Sequence, residues 1–264
     1  MISGLLESLG SARVFDLEQL RYAGAPTHPA HAPGFNYFLH RHHARGGAEA
    51  RTGASGVVVM PEHSGTHIDA LSHQAENLTL HGGIAADDVQ TSAGFKKLGV
   101  ETMAPIVARG VLLDVAGEER LKPGYEITPE DLERAARVEV GEGDVVLVRT
   151  GYGPLWSKPA EYLNDAGVGA AGCKWLAAKK VRAVGADNMA FDVMSSKRDP
   201  ELNATLPGHI LLLVRAGIPI IENLNLEELA AAKVYEFVFV CLPLKMRGAT
   251  GSPVRPIAIA QGAL

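Results

Sequence analysis

The segment Glu62-His63-Ser64-Gly65-Thr66-His67-Ile68-Asp69-Ala70-Leu71-Ser72-His73 puts three imidazoles and two carboxylates into twelve residues, one residue after the apolar run Gly56-Val57-Val58-Val59-Met60. Neutral imidazole combined with carboxylate is the donor set that a borderline divalent cation such as Zn²⁺ or Mn²⁺ prefers. Read as a strand, positions 63, 65, 67, 69, 71 and 73 share one face, so every candidate donor points the same way and Gly65 leaves room beneath an ion. Read as a helix, His63 with His67 and Asp69 with His73 form i, i+4 pairs, but Gly65 and the β-branched Thr66 and Ile68 weaken that reading. An extended segment or loop, with room for a helical turn after Asp69, is the better expectation. The alternative is histidines scattered on a surface loop in a chain that carries ten. Chance supplies a pair more readily than H-x-x-x-H-x-D-x-x-x-H at the mouth of an apolar strand. The metalloprotease pattern H-E-x-x-H is absent, because Ser-Gly-Thr separates His63 from His67 and supplies no glutamate base.

With 264 residues, 47% of them hydrophobic, and a mean hydropathy of +0.06, the chain can bury a sizeable core; we expect one α/β domain over residues 1–264. A formal charge of −5, a pI near 6.1 and dispersed Lys and Arg argue against a nucleic-acid partner. The N-terminus lacks a basic stretch followed by a long apolar one, and no apolar run approaches the ~20 residues of a membrane helix, so the expectation is a cytoplasmic protein without a membrane partner. Cys173 and Cys241 lie in apolar surroundings with no cysteine at ligand spacing, which fits reduced core residues.

Along the chain, residues 13–20 read as a short strand and residues 23–34 as a Gly/Pro/His-rich loop of the kind that lines sites. Residues 35–40 and 56–60 read as the two strands of a hairpin that delivers His63 to its end. Strands are expected over 106–115, 144–149, 181–187, 218–224, 235–242 and 256–260. Thr128-Pro129-Glu130-Asp131 supplies an N-cap, a proline at the first helical position and an acid at the third, opening a helix over 129–137. Gly167-Val168-Gly169-Ala170-Ala171-Gly172 matches G-x-G-x-x-G, but the polar residues 159–165 before it are no apolar strand; it reads as the entry to a helix over 170–180 and not as a dinucleotide site. A further helix is expected over 209–215, opened by Pro207 and ended at Gly217, and a short one over 225–229. Strands and helices mix without strict alternation, which indicates an α/β or mixed α+β architecture.

The stretch from His63 to His73 resembles the H-x-G-T-H-x-D-x-P-x-H signature of the cyclase-like metal-dependent hydrolases, the family of bacterial kynurenine formamidases and isatin hydrolases. Leu71 stands where that signature has proline. The resemblance extends to Gly185-Ala186-Asp187, Pro207-Gly208-His209, Ile221-Glu222-Asn223-Leu224 and Gly248-Ala249-Thr250-Gly251-Ser252-Pro253, and so covers most of the chain. It implies the swivelling β/β/α fold and a divalent cation, Mn²⁺ or Zn²⁺, in one or two copies. It also implies a homo-oligomer and cleavage of a C–N bond in a small arylformamide or cyclic amide.

For the site, His63, His67 and Asp69 are the expected ligands. His73 is either a fourth ligand or a general base, and the resemblance selects the catalytic role. His209 and Glu222 each have an ordinary reading, as a helix-entry residue and a strand-end acid; the resemblance makes them metal ligands, with Asp69 and Glu222 able to share a second ion. Tyr152 and Trp156, in the loop Arg149 to Trp156, are the expected substrate contacts by the same resemblance. Asp187 reads as a structural strand-end residue, and Arg149 and Arg247 as surface or interface residues. Ser55 falls short of a nucleophile elbow, which disfavours a serine hydrolase. The competing readings are a metal-binding protein without catalysis and a lyase or dehydratase that uses the same ion.

Overall fold

Runs of β-branched and aliphatic residues dictate the centre of the molecule, a nine-stranded mixed sheet seen in a computed structural model that describes residues 10–45, 49–195 and 197–261. In chain order its strands are β1 (Ala12–Asp16), β2 (His67–Asp69), β3 (Ile106–Asp114), β4 (Val145–Arg149), β5 (Ala183–Ala186), β6 (Ile220–Glu222), β7 (Glu236–Cys241), β8 (Gly251–Pro253) and β9 (Ile257–Gln261). They lie side by side as β1-β9-β7-β3-β4-β5-β6-β2-β8. The four central strands β3 to β6 are parallel; the pairings on either side of them are antiparallel.

Parallel strands joined by crossovers are covered on both faces, and their alternation shows it. Val111, Leu113, Val146, Val148, Val184 and Ala186 face one buried cluster, while Leu112, Val145, Leu147, Ala183 and Ile221 face another. The first cluster is closed by α1 (Pro129–Ala135), α2 (Ala170–Ala178) and α3, whose opening turn Pro207–His209 runs on as the π-helical Ile210–Ala216. The second is closed by Phe15, Leu17, Leu226 and Leu229. Each fully buried Leu, Val or Ile stabilises the fold by about 1.5–3 kcal/mol relative to exposure.

Most element expectations hold. Thr128 and Asp131 form a reciprocal capping box at α1, G-x-G-x-x-G enters α2 as an ordinary helix start, and Gly217 ends α3 in the left-handed conformation at φ 69°. Both cysteines are free and buried. The expected hairpin forms from Asn36–Arg41 and Ser55–Val59, paired antiparallel. Every residue of its first strand is exposed, and it joins none of the buried clusters. Ser55 starts the second strand of that hairpin, as the sequence reading without a nucleophile elbow expects. Arg149 departs from its surface reading: largely buried, it pairs with Asp114 at 2.9 Å and with both carboxylate oxygens of Glu227 at 2.9 Å, because it sits where β4 leaves the sheet beside two acids. Among the described residues, no helix is long and apolar enough to cross a membrane.

Candidate metal centre

The signature folds as a turn, a three-residue strand and a second turn, so only His67 and Asp69 share a strand face. Glu222 stands directly across from His67 in the antiparallel β6–β2 register, and opposed residues present their side chains on the same face. Gly251 stands across from Asp69 on the other flank. A Cβ at Gly251 would lie 2.6 Å from His63 Cε1, so the glycine makes the space that the imidazole fills. His209 arrives from the first turn of α3, on the opposite wall.

The small residues of the signature brace its loop. Gly65 takes φ 66°, and its carbonyl accepts from His67 Nδ1 at 2.8 Å and from Asn223 Nδ2 at 3.1 Å. Thr66 Oγ1 donates to the Asn223 carbonyl at 2.6 Å and accepts from the Gln19 amide at 2.9 Å. Arg21 donates to the carbonyls of Ser64 and Thr66. These bonds turn His67 so that Nε2 faces inward.

Four inward groups then converge. His67 Nε2 is 3.5 Å from Asp69 Oδ1 and 3.3 Å from Glu222 Oε2; His209 Nε2 is 3.3 Å from Glu222 Oε1 and 3.7 Å from Asp69 Oδ2. Donors set tetrahedrally at ~2.1 Å around one ion lie about 3.4 Å apart. Asp69 Oδ2 and Glu222 Oε1 are buried without a hydrogen-bond partner, an expensive state for a carboxylate oxygen unless a cation completes it. The protonation pattern makes the same demand. Burial disfavours the charged form of both His67 and His209, yet Asp69 and Glu222 raise the first, and Asp192 and Glu222 raise the second, above the ordinary imidazole range. Burial pushes Asp69 the other way, but the facing histidines hold its carboxyl well below the usual range. The pocket therefore draws in positive charge, and these residues fit a divalent cation.

His63 lies within the same cluster, its Nδ1 2.8 Å from Asp69 Oδ1 and its Nε2 2.8 Å from Thr250 Oγ1, which also bonds Glu62. His73 sits one turn beyond Asp69, its Nε2 4.0 Å from Asp69 Oδ2 and its ring centroid 3.9 Å from that of His63. Burial, opposed by Asp69 and reinforced by the neighbouring imidazoles, pushes His73 down to about 3, so its imidazole is neutral at physiological pH. Leu71, in the signature's proline position, is partly buried and packs on the cluster beneath the helices.

Two expected substrate contacts are corrected. Tyr152 and Trp156 do not face the cluster of imidazoles and carboxylates; both are buried with Tyr162 and Met189. The Trp156 indole donates to the Leu20 carbonyl at 2.7 Å, its carbonyl accepts from Tyr22 at 2.9 Å, and its ring meets Tyr162 edge-on at 5.1 Å. Their apolar area anchors the base of the 23–34 loop, which is worth more to folding than a solvent-facing aromatic wall. Asp187 is the structural residue expected, accepting from the backbone of Thr150 and Gly151 and from the Thr150 hydroxyl.

Sequence reasoning missed Asp192, which accepts from His209 Nδ1 at 2.8 Å and from the Gly208 amide at 2.6 Å, and so fixes the tautomer that turns Nε2 inward. No local pattern in Phe191-Asp192 announces that role. Asp192→Asn is expected to weaken divalent-cation binding by ~10–100-fold while the fold persists, measured by competition with a chromogenic chelator beside circular dichroism. Unchanged affinity would show that His209 is not a ligand.

Residues 15–193 match the model of the putative cyclase family, and the chain belongs to that family. The chain is 25% identical over 211 residues to an isatin hydrolase of Roseibium aggregatum, an alignment that covers 76% of this chain and 73% of the other. Among solved structures it is similar to a novel cyclase, with a TM-score of 0.86 and 29% identity over 98% of this chain and 90% of that one. It is also similar to isatin hydrolase A from Ralstonia solanacearum, with a TM-score of 0.77 and 25% identity over 98% and 97% of the two chains. The mixed α+β architecture expected from the sequence is the one these relatives share.

Proposed function

We propose that this protein is a divalent-metal-dependent hydrolase that opens the C–N bond of an arylformamide or a cyclic amide, using Mn²⁺ or Zn²⁺. The observation that carries the reading is the convergence of His67, Asp69, His209 and Glu222 around two buried, unpartnered carboxylate oxygens. These four groups would hold the cation together with His63, whose ligand atom lies within 4.8 Å of those of His67 and Asp69. When bound, such a cation polarises a carbonyl oxygen and brings the pKa of a water to about 7. His73, neutral and at the mouth of the cluster, takes the proton of the attacking water and returns it to the departing nitrogen, so the carbonyl carbon gains an oxygen as its C–N bond breaks. Relatives named as isatin hydrolases support the amide class of substrate. Assaying the metal-loaded protein against N-formylkynurenine, isatin and simple cyclic imides tests the reading; turnover of at least one is expected, and turnover of none would overturn it.

The same reading includes a homo-oligomer. Tyr37, Phe38, Val58 and Val59 of the hairpin are each more than half exposed, and a two-stranded hairpin has little stability of its own in water. A second copy of the chain covering this hairpin accounts for that surface. Light scattering behind size exclusion should give an oligomer for the wild type and a monomer for Val58→Asp; a monomeric wild type at tens of micromolar would contradict the assembly.

A further inference from the structure

The inward turn of His209 rests on Asp192, and Asp192 lies in a buried loop, residues 188–194, that has no helix and only isolated bridges of its own. Two buried side chains clamp this loop. Asp165 takes both of its ends at once: Oδ2 accepts from the Met189 amide at 3.2 Å and Oδ1 from the Met194 amide at 3.1 Å. Asn188 holds the middle, its Nδ2 donating to the Asp192 carbonyl at 3.1 Å and to the Ala166 carbonyl at 2.9 Å. The Asn188 carbonyl accepts from the Asn223 amide at 3.0 Å, which ties the loop to the residue after Glu222. Phe191, beside Asp192, is buried at φ 58°, a conformation that a bulky residue keeps only where its surroundings over-determine it. Among the described residues, the side chains of Asp165 and Asn188 bond none of His67, Asp69, His209 and Glu222.

We propose that Asp165 and Asn188 are positioning residues of the reaction: by closing the loop 188–194 they fix Asp192, and through it the nitrogen that His209 presents to the cation. A carboxylate suits the first task because each oxygen takes one amide, whereas an amide side chain offers a single acceptor and turns an NH₂ towards the other N–H. Asn188 suits the second because its NH₂ serves carbonyls that the loop's own backbone leaves over. With the clamp closed, the Asp192 carboxylate stands where it accepts from both the Gly208 amide and His209 Nδ1. With it open, the imidazole loses its fixed orientation, and a misplacement of about 1 Å at a reacting site costs on the order of 10²-fold in rate.

This proposal rests on the reading of His209 as a metal ligand, and a double-mutant cycle separates the two. Zn²⁺ affinity of the full-length protein is measured by competition with a chromogenic chelator for the wild type, Asp165→Asn, Asp192→Asn and the double variant. Asp165→Asn should weaken Zn²⁺ binding by ~10-fold, the low end of what an outer partner of a metal ligand contributes. With Asp192 already replaced it should cost no more than about twofold further, because residues acting along one chain of contacts are not additive. The visible absorption of the Co²⁺-loaded protein, which reads ligand geometry, should shift in the same sense in Asp165→Asn and in Asp192→Asn. Asn188→Ala should reproduce these results and carries the test if Asp165→Asn does not fold. A lowered Tm with Zn²⁺ affinity and Co²⁺ spectrum unaltered would overturn the proposal and leave Asp165 a structural residue. Equal losses with and without Asp192 would also overturn it, showing that Asp165 acts through its charge or through the fold at large. Unchanged affinity in Asp192→Asn would overturn the ligand role of His209 along with it.

Discussion

Replacing His67 with alanine is expected to abolish divalent-cation binding and hydrolysis together. His67 is 2% exposed, its Nδ1 is committed to the Gly65 carbonyl, and its Nε2 stands 3.3 Å from Glu222 and 3.5 Å from Asp69. Removing it takes away one of four convergent donors and leaves two buried carboxylates with less to compensate them, so the remaining set binds poorly. A catalytic cation supplies several kcal/mol of transition-state stabilisation, and about 1.4 kcal/mol corresponds to a tenfold rate, so the loss should reach at least ~10³-fold in kcat. Metal analysis of the purified variant beside its kinetics decides the point, with circular dichroism confirming the fold. Retained metal with retained turnover would remove His67 from the site.

His73→Ala should separate binding from chemistry. His73 has a side chain that is 13% exposed at the mouth of the cluster and 4.0 Å from Asp69 Oδ2, too far for a hydrogen bond, whereas the four inner donors do not need it. The variant is therefore expected to keep its tightly held cation and to lose ~10²–10⁴ in kcat, the usual contribution of general acid–base catalysis, with KM changed far less. A His73→Ala protein that loses its tight equivalent as completely as His67→Ala would make His73 a ligand and leave the proton transfer to another group.

What could be read in the sequence and what could not divide along physical lines. The donors His67 and Asp69 were legible because they are close in sequence and of a type that has few other uses together. Glu222 was legible as an acid ending an apolar strand, yet its position across from His67 is a matter of register between β2 and β6, more than 150 residues apart in the chain, which no local pattern encodes. The buried strands and α1 to α3 followed from period and caps. The strand Gly251–Pro253 did not, because Gly-Ser-Pro has the composition of a turn and is strand only through its pairing with β2. Tyr152 and Trp156 misled because an aromatic in a strand-end loop has the same sequence signal whether it faces a site or packs beneath one. Asp192 was invisible for the complementary reason: it acquires its role from a partner brought in by the fold, His209.

The central claim is that the convergent histidines and carboxylates hold a cation on which hydrolysis depends. Stripping the protein with a chelator, dialysing the chelator away and titrating Mn²⁺ or Zn²⁺ back while following cleavage of N-formylkynurenine or isatin tests it most directly. Activity is expected to vanish in the stripped protein and to return in proportion to the first equivalent restored. Full activity in protein shown by metal analysis to be metal-free would contradict it.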